Sequence, residues 1–99
     1  MHFAMVNTEA KVGKNCFINS RALIENGCII GDHTQISTGA IVNGNVKVGK
    51  HCFISSGSFL VQGIEIADYT VIAAGAVVTK SIVQQGTYAG VPAISIHRK

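Results

Sequence analysis

VGKNCFINSRALIENGCIIGDHTQISTGAIVNGNVKVGKHCFISSGSFLVQGIEIADYTVIAAGAVVTKSIV, residues 12–83, carries an aliphatic residue at every sixth position. The series runs Val12, Ile18, Ile24, Ile30, Ile36, Val42, Val48, Ile54, Leu60, Ile66, Ile72, Val78. Four places after each stands a small or β-branched residue, beginning Cys16, Ala22, Cys28, Thr34 and ending Ala76, Ile82. Neither helical periodicity nor simple strand alternation produces this spacing. A short fixed repeat marks a solenoid, and a hexapeptide repeat marks a parallel β-helix.

Grouping the hexads in threes gives an 18-residue coil with three faces. One row reads VGKNCF, IGDHTQ, VGKHCF, IADYTV; the next INSRAL, ISTGAI, ISSGSF, IAAGAV; the third IENGCI, VNGNVK, LVQGIE, VTKSIV. Residues of one column then stack about 4.8 Å apart. The column Lys14, Asp32, Lys50, Asp68 alternates in sign, as adjacent strands favour, and so supports the coil length independently. The column Gly13, Gly31, Gly49, Ala67 admits only minimal side chains, as a tight corner requires. The expected architecture is all-β: a single-domain triangular prism of about four coils.

Residues 1–11 read as an incoming strand and cap, 12–83 as the repeat, and 84–99 as an exit turn and tail around the only proline, Pro92. At 99 residues an isolated core is marginal, so a solenoid of this size needs capped ends or partner chains. The residue before each inward aliphatic points outward. In one row these are Phe17, Gln35, Phe53, Val71, and in another Leu23, Ile41, Phe59, Val77. The remaining row, Lys11, Ile29, Lys47, Glu65, is mostly charged. Two apolar strips point to self-association, or else to loops or another domain lying over them.

The composition also excludes. A net charge of +3 is scattered, with no aromatic platform among the basic residues, which argues against nucleic acid as a partner. No apolar run approaches the roughly 18 residues of a membrane span. The start, MHFAMVNTEA, has no signal-peptide character, and the expected location is cytoplasmic. Cys16 and Cys52 stack two coils apart, roughly 9.6 Å at sheet spacing, too far for a disulfide. Cys28 belongs to another face. These three thiols read as small buried hydrophobes. CxxC and HxxxH spacings are absent, so no metal is expected.

The stretches IENGCIIGDHTQISTGA, GNVKVGKHCFI, IADYTVIAAGAVV and YAGVPA resemble the left-handed β-helix acyltransferases. The similarity is closest to the bacterial nucleotide-sugar acetyltransferases that modify 4-amino sugars and sialic-acid-type sugars. The resemblance implies left-handed coils, a homotrimer, acetyl-CoA as cosubstrate in clefts between neighbouring prisms, and a sugar or sugar-nucleotide acceptor. It also implies a histidine that takes the proton from the attacking amine or hydroxyl. That histidine position holds Asn26, followed by Gly27 where the family has an acidic residue. A second family histidine, contacting the acetyl donor, falls on Gln35, and further donor contacts fall on Ser56 and Ala74. The family's N-terminal nucleotide-sugar domain is expected to be lacking.

An amide cannot accept a proton at neutral pH, so Asn26 leaves base-catalysed transfer impaired. His33 and His51 share a column with Asn15 and Tyr69 and offer a displaced base, although corner residues of a solenoid are commonly just solvated. His2 and His97 stand in terminal segments. Lys80, Arg98 and Lys99 are candidates for the coenzyme's phosphates, and equally a solvated basic tail. Two readings stand: an acyltransferase with an altered or lost base, and a non-catalytic β-helix that kept the scaffold. A zinc site of the γ-carbonic-anhydrase kind needs three converging histidines, and only His33 and His51 converge.

Overall fold

The structure, a computed structural model, describes residues 4–96. Thirteen two-residue strands follow one another at six-residue spacing: β1 (Met5–Val6), β2 (Lys11–Val12), β3 (Phe17–Ile18), β4 (Leu23–Ile24), β5 (Ile29–Ile30), β6 (Gln35–Ile36), β7 (Ile41–Val42), β8 (Lys47–Val48), β9 (Phe53–Ile54), β10 (Phe59–Leu60), β11 (Glu65–Ile66), β12 (Val71–Ile72) and β13 (Val77–Val78). After them come β14 (Thr87–Ala89) and β15 (Ile94–Ser95). No helix occurs among the described residues, so none is long and apolar enough to cross a membrane.

Three parallel sheets wrap one core. Face I is ordered β2-β5-β8-β11, face II β3-β6-β9-β12-β14-β15, and face III β1-β4-β7-β10-β13. Register pairs such as Ile29↔Lys47, Gln35↔Phe53 and Leu23↔Ile41 join residues eighteen apart, the coil length read from the columns. The stack reaches about five turns rather than four. Met5–Val6 already pairs with β4, and β14 pairs with β12. Among the described residues, only the final pair of β14 with β15 is antiparallel.

From β4 to β13 the second residue of each strand points inward. Ile24, Ile36, Val42, Ile54, Leu60 and Ile72 are completely buried, and each such side chain stabilises the fold by roughly 1.5–3 kcal/mol. Four-residue corners join the faces. From residue 13 to residue 76 the third corner residue adopts positive φ: Asn15, His33, His51 and Tyr69 on edge I/II, Arg21, Gly39, Gly57 and Gly75 on edge II/III, Gly27, Asn45 and Gly63 on edge III/I. That left-handed residue turns the chain onto the next face.

The glycine column owes its composition to something other than the corner bend. Gly13, Gly31 and Gly49 are not among the positive-φ residues. A Cβ on Gly31 would lie 2.6 Å from the Gly49 carbonyl, and one on Gly13 or Gly49 would collide with Asp32 or Asp68. Close approach of the next coil sets the requirement. The alternating Lys/Asp column likewise works through the main chain: Asp32 Oδ1 accepts the Lys14 N–H and Asp68 Oδ1 the Lys50 N–H, each at 2.8 Å.

The small inward residues are hydrogen-bond donors as well as fillers. Cys16 Sγ donates to the Gly31 carbonyl, Cys28 Sγ to Asn43, Thr34 Oγ1 to Gly49, Cys52 Sγ to Ala67 and Ser58 Oγ to Ala73. Each bond spans fifteen residues and stitches a corner to the coil above it. Thr70 is the exception among the described residues: its Oγ1 is buried without a partner. At that point the register slips, because Val71 pairs with Thr87, sixteen residues on, where Phe53 pairs with Val71 eighteen on. The coil that would supply the acceptor is two residues short, and Val83 stands 91% exposed beside the gap.

Candidate functional site

Edge III/I carries Asn26. Its side chain is exposed, its carbonyl accepts the Asn45 N–H at 3.0 Å, and Gly27 follows at φ 75° to make the turn. Half-buried Glu25 precedes it, with its N–H donated to the Val42 carbonyl at 2.9 Å. Just inside this corner the Cys28 thiol is pushed up by burial, so it is a poor nucleophile. Asn26 presents an amide to solvent and nothing that takes a proton.

Gln35 is the outward residue of β6, half-buried on face II between Phe17 and Phe53 in the neighbouring strands. Ser56 and Ala74 are both exposed on edge II/III, one coil apart in a single column. The Ser56 carbonyl accepts the Gly75 N–H at 2.9 Å. Gln35, Ser56 and Ala74 thus border the same face. Such a row offers an elongated ligand backbone and small side chains along the prism.

His33 stands on the remaining edge, I/II, at φ 61°, with its N–H donated to the Lys14 carbonyl at 2.8 Å. Its ring stacks on His51 with centroids 4.8 Å apart, and His51 stacks on Tyr69 at 4.9 Å. The column was visible in the sequence; the ordered ladder of rings was not. Beside it the Lys14 N–H holds the Asp32 carboxyl below the usual carboxylate range, helped by the nearby His33, Lys14 and Lys50 charges. Burial raises the Cys52 thiol behind the ladder.

One chain therefore does not assemble these residues. Asn26, His33 and the Ser56–Ala74 column occupy three different edges, and Gln35 lies on the face between the last two, two residues from His33. A pocket of about 340 Å³ opens at the C-terminal end, between residues 78–84 and the β14–β15 hairpin, and includes Lys80, Tyr88 and Ile94. None of Asn26, His33, Gln35, Ser56 or Ala74 lines it. His2, His97, Arg98 and Lys99 lie outside the described residues.

The sequence profile described as "Bacterial transferase hexapeptide (six repeats)" matches residues 9–44, 27–62 and 45–80. Among solved structures, a histidine-to-asparagine mutant of perosamine N-acetyltransferase from Caulobacter crescentus, in complex with CoA and GDP-perosamine, is 26% identical with TM-score 0.74. The alignment covers 96% of this chain and 54% of that one, so the chain spans about half the length of this relative. A serine acetyltransferase in complex with CoA is 25% identical at TM-score 0.87, over 94% of this chain and 41% of that one. A hexapeptide-repeat acetyltransferase from Vibrio cholerae, complexed with acetyl-CoA, shares the fold at TM-score 0.84 and 19% identity, over 92% and 62% of the two chains.

Proposed function

Because the chain belongs to the bacterial transferase hexapeptide family, we propose that it binds acetyl-CoA as cosubstrate and takes a sugar or sugar-nucleotide amine or hydroxyl as acceptor. The site forms between copies of a homotrimer in the cytoplasm. Coenzyme lies along Gln35, Ser56 and Ala74 of one copy, held mostly by main-chain groups. Asn26 of the neighbouring copy occupies the place of the proton acceptor.

Transfer needs a group that removes the acceptor's proton as the nitrogen or oxygen attacks the thioester carbon and the CoA thiolate departs. Asn26 can hydrogen-bond the acceptor but cannot take that proton. Ternary binding with slow or absent turnover is the consequence. The observation that carries this reading is the exposed amide at Asn26 on a coil whose relatives bind CoA. It finds a parallel in the asparagine mutant of the perosamine enzyme, which holds CoA and GDP-perosamine together. A second reading, a scaffold that binds no coenzyme, draws on the same residue.

Substitution Asn26→His separates them. With amino-sugar nucleotides as acceptors, thiol release from acetyl-CoA is expected near background for the native chain and roughly a hundredfold or more higher for the variant, the usual contribution of a positioned base. Robust turnover by the native chain overturns the lost-base reading.

A further inference from the structure

The hexad spacing ends at Ile82, and every valine and isoleucine after it stands exposed. Val83, Val91 and Ile94 are 91%, 72% and 67% open to solvent, and Ile96 is exposed with them. All four belong to one end of the prism. Val83 and Ile94 border the C-terminal pocket, Val91 precedes Pro92 in its lining, and Ile96 follows β15, the outermost strand of face II. At about 340 Å³ that pocket is at the small end of ligand cavities, so the protruding side chains around it are the larger feature.

The same end is basic. Residues 77–99 contain Lys80, Arg98 and Lys99 and no aspartate or glutamate, while the five basic and five acidic residues of positions 1–76 cancel. The whole net charge of +3 therefore belongs to this segment. Exposed Lys80 lines the pocket beside Val83, and Arg98 and Lys99 stand two and three places after Ile96. Aliphatic side chains protruding from basic surroundings match an anionic bilayer surface: the apolar groups enter the boundary of headgroups and acyl chains, and the cations meet lipid phosphates. A second copy set end to end would instead oppose two ends of like charge.

We propose that this end of the prism docks on the surface of a membrane that contains anionic lipids, with Val83, Val91 and Ile94 entering the interface and Lys80, Arg98 and Lys99 at the headgroups. The contact is peripheral, since no helix among the described residues is long and apolar enough to cross a bilayer. One chain binds weakly, because its anchors are few. In the trimer proposed above, rotation about an axis along the prisms turns all three such ends the same way, whichever faces meet, and the contacts reinforce one another.

The test is co-sedimentation of the full chain with vesicles of phosphatidylcholine alone and of phosphatidylcholine carrying about one-third phosphatidylglycerol. Binding is expected with the anionic vesicles only, and added salt should weaken it. Val83→Ser combined with Ile94→Ser should lower it roughly tenfold or more, and Lys80→Gln about fivefold. Both apolar positions are exposed, so thermal melting of the double variant should match that of the native chain. No binding by the folded chain, the result expected if an acidic protein occupies the patch, overturns the proposal. Equal binding to both vesicles, or binding unchanged in the double variant, overturns it too. Light scattering on the same sample reports the trimer separately: a monomer that binds the anionic vesicles supports this proposal and contradicts the trimer.

Discussion

Thr34 and Thr70 stand in the same column, and their hydroxyls have opposite fates. Thr34 Oγ1 donates to the Gly49 carbonyl at 2.7 Å and accepts the Cys52 N–H at 3.1 Å, whereas Thr70 Oγ1 has neither bond. Thr34→Val leaves a half-buried carbonyl and a buried N–H unpaired, and a loss of about 1–3 kcal/mol is expected. Thr70→Val removes an unpaired group and is expected to hold or raise stability. Denaturant unfolding of both variants checks the pair, and equal losses would contradict the assignment. The small inward positions were legible in the sequence because their size follows the hexad. Their bonding was not, since Cys, Thr and Ser fill the space alike and only the coil above supplies the acceptor. At Asn26 the departure was legible only against the family pattern, since an exposed corner amide is otherwise unremarkable.

At the level of elements, the hexad sets both strand position and coil height, so the strands between Lys11 and Val78 fall where the aliphatic series puts them. Gly31 shows how tightly the coils meet, since its Cβ would enter the Gly49 carbonyl. Gly31→Ala should force the coils apart and cost about 1–3 kcal/mol, the usual range for overpacking. Melting of this variant beside Gly63→Ala separates the two causes. Gly63 has φ 81° and nothing within 4 Å of an added Cβ, so backbone strain alone acts there. A loss at Gly31 no larger than at Gly63 would contradict the close-approach account. The C-terminal slip escaped the sequence. Ile82 sits four places after Val78 and so reads as another corner residue, yet it bridges to Ile66 as the inward residue of face I. Nothing in a single sequence marks two residues left out of a coil.

Across the whole molecule, apolar outward side chains on faces II and III, among them Phe17 at 67% and Met5 at 54% exposure, are more than a small isolated prism ordinarily leaves in water. The sequence showed which rows are apolar but not which faces meet, because that depends on which edges complete a shared site. The repeat also identified a scaffold without identifying an acceptor: the chain spans about half of the perosamine enzyme it resembles. The proposed function rests on a coenzyme row along face II and edge II/III. Calorimetric titration of acetyl-CoA into the purified chain tests that most directly. The expected result is a saturable heat with one coenzyme per chain, lost when bulky side chains are placed at Ser56 and Ala74. No heat, in a protein shown by light scattering to be trimeric, would contradict it.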